Sequence, residues 1–248
     1  MSRKKYKNSL VKLNLLLITI ICIAITSFLF PNIQEQLLTT SNENLIFENS
    51  FELENIPNFS TEPYVIINEN EPEFSQDDFT AKSFERYSNL DFLGRCGTAF
   101  ANLSIDTMPS ADEERESISS IEPSGWINKK YDIVDGGYLY NRCHLIGYQL
   151  SAENANEKNL ITGTRYMNIE GMLPFENKVA EYIKETRNHV LYRVTPIYEG
   201  DNLVANGVQI EAKSVEDNGK GICFNVYCYN VQPGIEINYK TGESKESV

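Results

Sequence analysis

Read from the amino end, the order of apolar and polar positions divides the chain into a basic start, one long apolar run, a polar stretch and a patterned remainder. Leu15 to Phe30 is a run of 16 largely apolar residues, preceded by Arg3, Lys4, Lys5, Lys7 and Lys12 without an acid. That is a membrane-targeting segment whose basic flank stays in the cytoplasm. The run lies between a signal-peptide core and a full span in length, and Thr26-Ser27-Phe28-Leu29-Phe30-Pro31 holds no clear small-x-small cleavage site. Residues 1–31 are therefore read as a membrane anchor or signal segment, the uncleaved anchor preferred, with everything after Pro31 exported. Residues 32–60 are rich in Asn, Ser and Thr and read as an acidic flexible linker.

From Tyr64 the pattern turns globular. Tyr64-Val65-Ile66-Ile67 and Cys96 to Leu103 are apolar runs of strand length, and the charged, serine-rich stretch Ser110 to Ser120 is expected as an exposed loop or short helix. Lys130 to Val134 and Tyr138 to Asn141 flank Asp135-Gly136-Gly137, which predicts a tight hairpin. An irregular stretch with Asn154, Asn156 and Asn159 follows. Phe175, Val179, Tyr182 and Ile183 then recur at helical spacing with Pro174 near the start, predicting a helix over 173–185. Three β-rich stretches, His189 to Tyr198, Leu203 to Lys213 and Ile222 to Val231, are separated by turn-forming residues. Grouped strands with few helices predict an α+β domain over 61–248, built on an antiparallel sheet.

Charge complicates this picture. Residues 1–31 carry five bases and residues 32–60 five acids (Glu35, Glu43, Glu48, Glu52, Glu54), so the two segments cancel and the remainder carries the full net charge of −13. An acidic domain disfavours polyanionic partners unless basic residues are segregated into a patch. Lys158, Arg165, Lys178, Lys184 and Arg187 are near the candidate site in sequence. Exported sequence contains Cys96, Cys143, Cys223 and Cys228, whose spacing fits no zinc signature and permits three disulfide pairings. Cys223 and Cys228 are five apart on a predicted strand and face opposite sides, which argues against that pair.

Chemistry concentrates between the hairpin and the helix. His144, just after the predicted hairpin, is one of two histidines in the chain and titrates near neutrality, as a general base should. Asn168, 24 residues on, offers a neutral hard oxygen suited to Mg²⁺ that keeps most of its waters. Arg142 and Arg165 can bind phosphate through two parallel hydrogen bonds. Glu176, eight residues after Asn168, could hold a metal-bound water. Base, cation site and phosphate-binding cations are what phosphodiester hydrolysis requires.

Asn141-Arg142-Cys143-His144-Leu145-Ile146-Gly147-Tyr148, then Asn159 to Asn168 (NLITGTRYMN) and Pro174 to Val179 (PFENKV), resemble the DNA/RNA non-specific endonuclease family, a branch of the ββα-metal nucleases of bacterial DNA-entry type. The resemblance covers about 64–242. It implies a ββα finger of hairpin, loop and helix, His144 as base, and Arg142 on phosphate or leaving group. It further implies Asn168 as ligand of Mg²⁺, with Mn²⁺ as a substitute, and Glu176 in support. DNA and RNA would be the substrates, with Arg142, Arg165 and Asn141 toward substrate, and no obligate protein partner is expected. Asn141 stands where the fuller motif has aspartate, and Cys143 where it has glycine.

Plainer roles compete. Asn168 could simply cap a helix, Glu176 could complement a helix dipole, and Arg165 could be an ordinary surface arginine. His189 is read as structural. Cys143 and His144 are adjacent on a strand and point apart, a poor geometry for a cysteine nucleophile. Tyrosines in the closing strands are read as packing. A surface DNA receptor without turnover is the binding-class rival, and an interaction toxin a third reading.

Overall fold

The computed structural model describes residues 56–110, 112 and 115–247; the apolar segment of residues 1–31 and most of the predicted linker lie outside them. Among the described residues no helix is long and apolar enough to cross a membrane.

Six strands form an antiparallel sheet: β1 (Tyr64–Ile66), β2 (Phe84–Tyr87), β3 (Ala99–Leu103), β6 (Val190–Ile197), β7 (Gly207–Ser214) and β8 (Cys223–Tyr229), in the spatial order β1-β8-β7-β6-β3-β2. The three long strands at its centre, β6, β7 and β8, are the three predicted at the carboxyl end, each shorter than predicted. Turn residues set their connections: Gly200, Asn218 and Gly219 all take positive φ, which glycine and asparagine tolerate. All of β7 but Lys213 and all of β8 but Cys223 are buried, at even and odd positions alike, because the sheet is covered on both faces.

One face carries helix α2 (Leu173–Thr186), whose Val179, Ala180 and Ile183 join Tyr192, Val194, Ile210, Ala212 and Val226 in the main core. Full burial of a side chain such as Ile183 contributes roughly 1.5–3 kcal/mol. The opposite face is more polar and is closed by the segment before β2. Arg193 and Glu211, directly paired across β6 and β7, form an ion pair of 2.6 Å, and Arg193 donates to Glu73 O at 2.7 Å. The described end of the predicted linker also packs. Tyr229 donates to Pro57 O at 2.7 Å, and Phe59 meets Tyr166 and Tyr229 edge to face.

The remaining strands make two ribbons, β4 (Tyr140–His144) with β5 (Leu160–Thr164), and β9 (Ile235–Ile237) with β10 (Ser244–Glu246). The hairpin predicted around Asp135-Gly136-Gly137 is thus corrected, since Lys130 to Val134 forms no strand and touches its expected partner only in a Lys130–Tyr138 bridge. Turn hydrogen bonds from Val134 N to Tyr131 O and Gly137 N to Val134 O curl the segment. Curling drives Val134 and Leu139 into a second cluster with Tyr140, Ile235 and Trp126. The ladder edge of β4 next to this loop is closed instead by Asn128, whose side chain accepts from Tyr140 N at 2.9 Å and donates to Tyr140 O at 2.8 Å. All four described cysteines are free thiols.

Candidate active site

β4 and β5 pair in register from Tyr140↔Thr164 to His144↔Leu160, and the chain after His144 is gathered in by one amide. Asn159 is fully buried; its Oδ1 accepts from Ile146 N at 2.9 Å and its Nδ2 donates to Ile146 O at 3.0 Å, continuing the ribbon beyond the ladder. Gly147 then leads into the single helical turn α1 (Tyr148–Ser151), which Ala152 ends in the left-handed conformation.

His144 is 8% exposed, and its Nε2 lies 2.9 Å from Asn154 O. Because a carbonyl oxygen only accepts, Nε2 carries the proton and the neutral ring keeps its lone pair on Nδ1. Burial lowers the imidazole's pKa, the Asn154 carbonyl pulls it back up, and the charge of Arg115 lowers it further. The Asn154 side chain is itself fixed, donating to Glu116 O at 2.7 Å and accepting from Arg115 Nε at 2.9 Å. Arg115 also stacks over Tyr148, 4.9 Å from its ring centre.

Asn168 lies within a π-helical segment (Met167–Met172) joining β5 to α2. Such i→i+5 turns recur where a side chain must be re-aimed. The amide Oδ1 accepts from Cys143 Sγ at 3.0 Å. Burial, reinforced by Glu176 and Cys228, pushes the Cys143 thiol well up, so it stays protonated. Glu176, in the first turn of α2, is 8% exposed and its carboxyl packs on Gly147, where a Cβ would lie 2.8 Å from Glu176 Cδ. Burial raises this carboxyl to about 7, opposed by a hydrogen bond from Gln149. Asn168 and Glu176 therefore reach Cys143, the residue before His144, and Gly147, three residues after it.

The predicted substrate residues are placed differently. Arg142 shares a strand face with His144 by alternation, yet its guanidinium is engaged by Ile121 O and by Ser119 O at 2.7 Å, and stacks over Trp126 at 4.3 Å. Arg165 sits just past the opposite end of the ribbon, roughly 17 Å along the strand direction from His144, in an exposed pair with Asp135 at 3.0 Å. Asn141 falls on the Cys143 face by the same alternation. Asn168 thus meets Cys143, whose side chain alternates away from that of His144, and Glu176 meets Gly147; Arg142 shares the His144 face in another engagement, and Arg165 lies apart.

Four positions were given no role from the sequence: Asn154, which looks like a loop asparagine, Arg115 in a serine-rich stretch, and Gly147 and Asn159, which lie inside the motif blocks. As a metal site the donor set is sparse and hard, one amide oxygen and one buried carboxyl. Among the described residues no three His, Cys, Asp or Glu side chains form a cage. These residues fit a divalent cation that retains most of its water.

Residues 75–216, more than half of the chain, match the family of DNA/RNA non-specific endonucleases. The chain belongs to that family. A deoxyribonuclease of Streptococcus dysgalactiae subsp. equisimilis is 32% identical over 119 residues, 46% of this chain, which spans only 34% of that relative's length. A solved structure of the Sda1 nuclease with bound zinc ion has a TM-score of 0.66 and 28% identity, covering 75% of this chain and 97% of that one. NucA from Streptococcus agalactiae with magnesium ion bound has a TM-score of 0.66 and 26% identity, covering 78% and 91%. The antiparallel α+β reading stands, with β4, β5 and α2 in the place of the family's finger.

Proposed function

We propose that this endonuclease-family protein hydrolyses phosphodiester bonds of DNA and RNA with little sequence preference, outside the cell membrane, using His144 as general base. The observation that carries this reading is the hydrogen bond from His144 Nε2 to Asn154 O, which holds the ring in the tautomer whose Nδ1 can take a proton. Water that loses this proton to Nδ1 attacks phosphorus, and the bond to the leaving oxygen breaks on the opposite side.

Asn168 Oδ1 would hold a divalent cation, with Glu176 ordering water around it; when bound, such a cation neutralises charge on the phosphate and the leaving oxygen. Mg²⁺ is the preferred ion and Mn²⁺ its substitute, a hard-oxygen preference drawn from the donor set. Solved structures of relatives with zinc and with magnesium ions bound support a divalent site without choosing between them. Arg142 would reach a phosphate by exchanging the carbonyls of Ser119 and Ile121 for its oxygens. The amino-terminal apolar segment would hold or release the domain at the outer face of the membrane.

Plasmid DNA and a single-stranded RNA, each incubated with Mg²⁺ and with chelator, test the proposal. His144→Ala is expected to lower the rate at least a hundred-fold; unchanged degradation would remove the mechanism. Metal-independent DNA binding without cleavage by the parent protein would replace the nuclease by a surface receptor.

A further inference from the structure

We propose that Cys143 is a positioning residue for Asn168, its thiol holding the amide oxygen in the orientation that receives the cation; this rests on Asn168 being the metal ligand. Among the described residues the thiol, 3.0 Å from Asn168 Oδ1, is the only hydrogen-bonding partner of the Asn168 side chain. Its location is confined. Cys143 is 1% exposed, its Sγ lies 3.5 Å from Met172 Sδ, and the neighbouring strand offers Gly163, where a Cβ would come within 2.6 Å of Cys143 Cβ.

The chemistry follows from the amide's two ends. The π-helical backbone fixes where the Asn168 side chain starts but leaves its terminal torsion free, so either oxygen or NH2 could face the site. A protonated thiol donates to the oxygen and so selects one of the two orientations. The oxygen has two lone pairs; the thiol uses one and leaves the other for a cation. Holding the amide in advance removes an ordering cost from metal binding.

Calorimetric titration of the full chain with Mg²⁺ and with Mn²⁺ tests this without reference to turnover. Cys143→Ala, which removes the donor, is expected to weaken binding about three-fold, the range of one modest hydrogen bond. Cys143→Ser, which restores a donor, is expected to bind within about two-fold of the parent. Thermal unfolding in chelator confirms that the variants fold, and Cys143→Gly, the motif residue, replaces an alanine variant too unstable to titrate. Parental or tighter affinity in the donor-free variant overturns the proposal. So does an equal loss in Cys143→Ser, which marks the thiol as packing alone. Asn168→Ala separates the two levels: if it binds metal like the parent, the ligand assignment fails and the proposal with it. If it loses binding while Cys143→Ala does not, only the role of Cys143 fails.

Discussion

At His144 two influences oppose one another, and their order sets a pH dependence. Burial and the charge of Arg115 favour the neutral ring, while the Asn154 carbonyl favours the protonated one, and the net shift is downward from the ordinary 6.5. A depressed histidine pKa keeps the base form available at lower pH, so the rising limb of kcat/KM against pH is expected to have its midpoint below 6.5. A midpoint above that value would assign the limb to another group. Glu176 runs the other way. Its carboxyl is raised from 4.5 to about 7, so the folded state prefers it protonated. That contribution to stability is fully present below 4.5 and is lost as pH rises through about 7. In chelator, chemical denaturation should show the parent losing on the order of 3 kcal/mol relative to Glu176→Gln across that window. The comparison cancels His144, whose own effect appears only on acidification, when a buried neutral ring must charge.

The elements of the site differ in how far local sequence specifies them. α2, β6, β7 and β8 were legible because each buries a repeating apolar set against one core, which leaves the periodicity in the sequence. β5 was not. Leu160-Ile161-Thr162-Gly163-Thr164 is buried at every position, so it shows no alternation, and its partner β4 lies beyond an intervening loop. Asp135-Gly136-Gly137 supplied a competing local signal that burial of Val134 and Leu139 overrode. The π-helical segment was equally hidden, because residue type does not encode the i→i+5 hydrogen bonds that turn Asn168 toward Cys143. His144, Asn168 and Glu176 were singled out by motif spacing; Asn154, whose carbonyl meets His144, and Asn159, whose amide clamps Ile146, were not, since a buried amide and a loop amide look alike in sequence. Asn159 gives this a measurable form. Asn159→Ala strands both Ile146 N and Ile146 O in a buried site, and urea unfolding should show a loss of about 2–3 kcal/mol. A change below about 0.5 kcal/mol would mean that water replaces the clamp.

For the molecule as a whole the net charge of −13 must be reconciled with a polyanionic substrate. Four cations of the site region are already engaged. Arg142 is held by Ser119 O and Ile121 O, Arg115 by Asn154 and Lys158 by Asn89 Oδ1 at 2.9 Å, while Arg165 is paired with Asp135 at the far end of the ribbon. With two arginines on phosphate, counterion release gives a slope near −1.8 in log affinity against log salt, a loss of about ten-fold between roughly 50 and 200 mM. Repulsion between the acidic body and the nucleic acid acts in the opposite sense, because salt screens it over a Debye length of about 10 Å. The two effects subtract, so kcat/KM on duplex DNA should fall by less than about ten-fold over that range at fixed Mg²⁺. Arg142→Ala should flatten the dependence by close to one unit of slope. A fall of a thousand-fold would require about six phosphate contacts, and would mean that an extended basic surface, not this sparse site, holds the substrate.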